Sequence, residues 1–135
     1  MVDERFLQRA IIIRRTYFKL INSLDLYKSR ALKVSERLDD TLKKLDDFQK
    51  DLENSNRKTS LGEKEIFEKL LKIIDEVDEE GKRLEKLIEP INVDMEKLAK
   101  EEQELYRQIV ESHPNLSEDQ IVNSVRDRLI KEGLS

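Results

Sequence analysis

The chain has 135 residues, of which 41% are charged and 5% aromatic, with three glycines, two prolines, no tryptophan and no cysteine. This is the composition of long helices rather than of sheets or barrels, and the missing thiols exclude disulfides, zinc–thiolate centres and cysteine nucleophiles. The net charge of -4 is unevenly placed: Met1 to Lys33 carry eight basic residues against three acidic ones, a net +5, which leaves -9 for the remainder.

The first long segment reads as a heptad. Its a positions are Ala10, Tyr17, Leu24, Ala31, Leu38, Leu45 and Leu52, and its d positions Phe6, Ile13, Leu20, Tyr27, Val34, Thr41 and Phe48. Only Thr41 is polar, and a pattern held over six heptads predicts coiled-coil-like packing over residues 5–52. Asn22-Ser23 is a candidate break, since both residues favour caps over helix interiors.

The polar stretch 53–62, ENSNRKTSLG, predicts a loop. Ser60 and Glu63 have the spacing of a capping box that starts a second helix. That helix continues the heptad through Ile66, Leu70, Ile73, Val77, Leu84 and Leu87. Glu80 interrupts the seam, and Gly81 beside it weakens the helix by about 1 kcal/mol against Ala. Pro90 predicts a kink or a turn, because proline removes a helix hydrogen bond and restrains its neighbour. Helix is expected over 62–89 and again over 93–112, with a short polar loop between two arms of similar length.

The end of the chain is the most strongly punctuated. Pro114 stops the preceding helix, Ser117 with Gln120 forms a capping box, and Leu116 with Ile121 occupies the hydrophobic-staple positions. Ile121, Val122, Val125, Leu129 and Ile130 make one apolar face over 117–132, and Gly133 ends the helix. The segment has the rhythm of a helix-turn-helix. However, its last helix sets Arg126, Arg128 and Lys131 against Glu118, Asp119, Asp127 and Glu132, which favours a packing helix over a DNA-reading one.

The expected fold is therefore all-α: an elongated antiparallel helical hairpin or three- or four-helix bundle over 1–112, with a short capped C-terminal helix over 113–135. No catalytic constellation emerges. His113 is the single histidine and has no carboxylate at helical spacing to orient it. The three glycines are isolated, which excludes a phosphate loop. The chain is expected to be no enzyme and to bind no cofactor or metal. No apolar run approaches the roughly 18 residues that cross a bilayer. The acidic Asp3-Glu4 start lacks a cleavage pattern. Both observations favour an intracellular, cytoplasmic or nuclear protein with no membrane partner.

One stretch exceeds what a hairpin needs. In Arg9–Leu20, RAIIIRRTYFKL, three consecutive isoleucines fan over roughly 200° of a helix with 3.6 residues per turn. They cannot share one seam. Leu7, Ile11, Ile12, Phe18 and Ile21 all lie off it, with Arg14 and Arg15 beside them. Such a surplus is buried by further helices of the same chain, by other subunits, or by a membrane surface. Subunit docking or self-association through this helix is the reading we favour, with Leu7, Ile11, Ile12, Arg14, Arg15, Phe18 and Ile21 as the candidate partner-binding residues. The expected function is a helical adaptor or structural subunit of a larger assembly. The alternative is a nucleic-acid-associated regulator that uses the basic first helix.

Overall fold

The computed structural model describes residues 1–55 and 60–134 of the chain. Three helices account for nearly all of them: α1 over Glu4–Ser55, α2 over Leu61–Ser112 and α3 over Glu118–Lys131. There is no strand among the described residues. The all-α expectation holds, and the two long helices have 52 residues each. Among the described residues no helix is long and apolar enough to cross a membrane.

Two boundaries differ from the sequence reading. Helix α1 continues through residues 53–55, and residues 56–59 of the expected loop lie outside the described residues. Helix α2 runs through Pro90 without interruption, so neither a turn nor a gap over residues 90–92 is present. Pro90 is exposed. The carbonyl that loses its amide partner there can therefore be hydrated, and the usual penalty for proline inside a helix is softened. Asn22 and Ser23 are likewise exposed, and α1 passes through them unbroken.

The helix ends follow the predicted chemistry. Ser60 Oγ accepts from the Glu63 amide at 3.1 Å, and Glu63 accepts from the Ser60 amide at 3.3 Å. Ser117 and Gln120 form the same reciprocal box at 3.2 and 2.9 Å. Asp3 caps α1 by accepting from the Arg5 amide at 2.9 Å. Gly133, at φ +73°, closes α3. Its amide donates to the Ile130 carbonyl, and the Leu134 amide donates to the Leu129 carbonyl at 2.7 Å. These two bonds make a Schellman motif, in which the left-handed position suits glycine.

The chain forms two compact units. Unit 1 joins Met1–Leu24 to Glu89–Ser135, so α3 belongs with the beginning of α1 and the end of α2. Within it α1 and α2 are antiparallel: Arg9 donates to Gln108 at 2.7 Å and Arg14 to Glu102 at 3.0 Å. Its core is one cluster that draws Val2, Leu7, Ala10, Ile11 and Ile13 from the N-terminal side, Leu105 and Ile109 from α2, and Ile121, Val125 and Leu129 from α3. Leu105 and Ile109 are wholly inaccessible.

The cluster answers the question posed by the isoleucines. Ile11 and Ile13 point about 200° apart, yet both are buried, at 2% and 7% exposure. One neighbouring helix cannot cover both directions, and α3 supplies the second cover. Of the three explanations, burial by a further helix of the same chain accounts for Ile11.

Unit 2, Asp25–Ile88, is a two-helix pairing with a thin interior. Val77 and Leu84 are its buried apolar side chains among the described residues. Phe48 stacks on Phe67 with centroids 6.5 Å apart. Thr41, the polar residue in the predicted seam, is buried and donates its hydroxyl to the Arg37 carbonyl at 2.8 Å. It therefore leaves no polar group unpaired.

Two substitutions test this division. A Cβ on Gly81 would rest 3.9 Å from a Val34 methyl, an ordinary contact. Gly81→Ala should therefore raise stability by about 0.5–1 kcal/mol in urea unfolding. Leu105→Ala should lower it by about 2–5 kcal/mol, and Ile12→Ala, at an exposed position, should change it by less than about 0.5 kcal/mol.

Candidate partner-docking groove

Packing of α3 on unit 1 leaves a groove beside it. Three pairs of side chains at helical i, i+4 spacing build its walls. Helix α1 contributes Arg14 and Phe18, α2 contributes Tyr106 and Val110, and α3 contributes Val122 and Arg126, extended by Ile130 at i+8. The main hollow has a volume of about 530 Å³ and is lined by Arg14, Phe18, Tyr106, Val122, Arg126, Leu129, Ile130 and Leu134. A second hollow of about 270 Å³ shares Tyr106 and Val122 with it and adds Arg107, Val110, Glu118 and Ile121.

The local reason for the groove is the width of the apolar stripe on α3. Ile121, Val125 and Leu129 fall on one line and are buried. Val122 and Ile130 sit about 100° around the helix from Ile121 and Leu129. They remain 37% and 53% exposed. Val110 on α2 is also 42% exposed. These side chains border the core without entering it.

The polar groups of the groove differ in how well they are matched. Arg14 is held by Glu102 at 3.0 Å, and its guanidinium lies 5.8 Å from the Tyr17 ring centre. Arg107 is paired with Glu104 and Glu111. Arg126 has no ion-pair or hydrogen-bond partner among the described residues. The Tyr106 hydroxyl also lacks a protein partner there. Burial raises the Tyr106 phenol above its ordinary value, and the Glu102 carboxylate raises it further. Arg14 and Arg126 oppose both effects.

The residues nominated from the sequence part company. Leu7 and Ile11 are core. Ile12, 62% exposed, lies in a separate hollow of about 400 Å³ with Arg9, Ile13, Lys100, Glu101 and Glu104. Arg14 and Phe18 line the groove. Arg15 reaches Glu132 on α3 at 3.5 Å, and Ile21 is half-buried. Tyr106, Val122, Arg126, Ile130 and Leu134 were not among them. The available signal was the five apolar residues on α3, more than a buried stripe two turns long requires.

His113 serves structure. Its Nε2 accepts from the Asp3 amide at 3.1 Å, and its Nδ1 lies 2.9 Å from the Ile109 carbonyl. The ring thus fits as its Nδ1–H tautomer, edge-on to Phe6 at 5.9 Å. Among the described residues no group of three or more His, Asp or Glu side chains could hold a metal ion. Comparison with family models, curated proteins and solved structures found no match.

The Tyr106 phenol reports on the groove. Its folded value lies above the ordinary value of about 10. Its contribution to stability is therefore full below the unfolded value and is lost as pH rises through the folded one. Ultraviolet titration of the protein, with the Tyr106→Phe curve subtracted, should show ionisation above pH 10 or so. Arg126→Ala should move it higher and Glu102→Gln lower.

Proposed function

We propose that this chain is a non-enzymatic helical subunit that docks another protein in the groove formed by α1, α2 and α3. The observation that carries the reading is the row Val122, Arg126 and Ile130. It stands open beside a core that α3 has already completed. Exposed apolar side chains next to a finished core are the usual mark of an interface. Tyr106 and Phe18 supply the aromatic contact area on which interfaces draw most of their affinity.

The distribution of charge favours a protein partner over nucleic acid. Most of the arginines on the first helix are already matched within the chain: Arg5 with Asp3, Arg9 with Gln108, Arg14 with Glu102 and Arg15 with Glu132. Phosphate binding needs several free cations on one face; the cluster on α1 that comes nearest, Arg30, Lys33 and Arg37, shares its hollow with the carboxylate of Glu80. On α3, Arg128 is engaged by Glu4 at 2.7 Å and by Glu132 at 3.3 Å.

A photo-reactive amino acid in place of Ile130, introduced in the native cell, should give a discrete protein adduct. The same probe at Glu36 should not. Ile130→Asp should weaken capture of that protein by about 2 kcal/mol or more, as for a truncated interface anchor, and leave the far-ultraviolet circular dichroism unchanged. Adducts to nucleic acid alone, or equal labelling from both positions, would overturn the reading.

A further inference from the structure

Building on the groove reading, we infer that its occupant is an amphipathic α-helix of another protein that carries a carboxylate between its apolar anchors. The shape argument starts from the walls. Each is a helical ridge at i, i+4 spacing, and the α3 ridge from Val122 to Ile130 extends about 12 Å at 1.5 Å per residue. That is two turns, the length over which a guest helix presents side chains at i, i+4 and i+7. The hollow of about 530 Å³ and its neighbour of about 270 Å³ share Tyr106 and Val122, which gives a guest helix two adjoining places for apolar anchors.

The charge argument starts from Arg126. It lies between Val122 and Ile130 on the open ridge, and no acidic group of the described chain pairs with it. An apolar helix laid over Val122 and Ile130 would take this guanidinium out of water. Without a counter-charge that desolvation is unfavourable. A carboxylate on the guest removes the penalty and gains a charge-assisted hydrogen bond. The Tyr106 hydroxyl, in the same hollow and without a protein partner, provides a second donor. Arg14 is satisfied by Glu102, so the groove asks for an acid opposite Arg126.

Other occupants fit less well. A second copy related by a two-fold axis through this ridge would set Arg126 against its own counterpart, since such interfaces are self-complementary. A polyanion would meet Glu102 and Glu118 as well as Arg126.

The test uses the full chain and a displayed library of helical peptides. Leucine is fixed at i, i+4 and i+7, and all other positions are free. Selected peptides should be enriched in Asp or Glu beside the central leucine. Arg126→Glu should weaken them at least tenfold and shift selection towards Lys or Arg. Ile130→Asp should abolish binding of both sets. If Ile130→Asp abolishes binding but Arg126→Glu leaves it unchanged, the groove remains a docking site and the acidic-helix inference is overturned. If Ile130→Asp has no effect, or no peptide is enriched, both readings fall. Light scattering that shows a dimer dissociated by Ile130→Asp would place a second copy in the groove and also overturn the inference.

Discussion

Closure of the α1–α2 pair of unit 1 by α3 is the contact on which the rest of that unit depends. Two paired helices bury one stripe from each partner and leave most of both surfaces in water. Unit 2 shows this limit, with little beyond Val77, Leu84 and the hydroxyl-satisfied Thr41 removed from solvent. A third helix changes the geometry from a seam to an enclosure. Ile121, Val125 and Leu129 complete a cluster in which Leu105 and Ile109 have no accessible surface at all.

Polar contacts then set the register of that closure. Arg128 on α3 reaches Glu4 at the first turn of α1, and Arg15 reaches Glu132 near the end of α3. These pairs lie at the surface, where water screens them, and they add little to stability. Their effect lies in selecting one crossing of the helices from those the apolar contacts would allow. The His113 ring works in the same direction, tying the Asp3 amide to the last turn of α2. With the register held, Val122, Arg126 and Ile130 have no choice but to face outwards.

Much of this was legible in the sequence, and the failures have physical causes. Helix type and both capping boxes follow from local rules, and local rules suffice for them. Pro90 suggested a kink or a turn and Asn22-Ser23 a break; Pro90 is exposed, so water can reach the carbonyl it leaves free, and at Asn22-Ser23 the flanking heptads carry the helix through. The surplus of isoleucine was legible as a surplus. Whether its cover came from this chain or another was not. Ile11 is buried with residues more than 100 positions away, and periodicity contains no information about which distant stripe meets it. The groove was hidden for the same reason, because its walls come from three helices and each wall alone resembles an ordinary wide stripe.

The separation along the chain of these contacts bears on the order of assembly. Asp3 meets His113 across 110 positions, and Glu4 meets Arg128 across 124. Phe48 and Phe67 in unit 2 stack although only 19 positions separate them. Loop-closure entropy rises with the length closed, so the contacts of the three-helix core cost more chain entropy to form than those of unit 2. During synthesis the second half of that core does not exist until Leu129 has left the ribosome. Until then Ile11 is bare and no groove is available to be occupied. A chain broken off before α3 thus exposes the greasy face of its first helix, which quality-control chaperones recognise, and lacks the surface that a proper partner would bind.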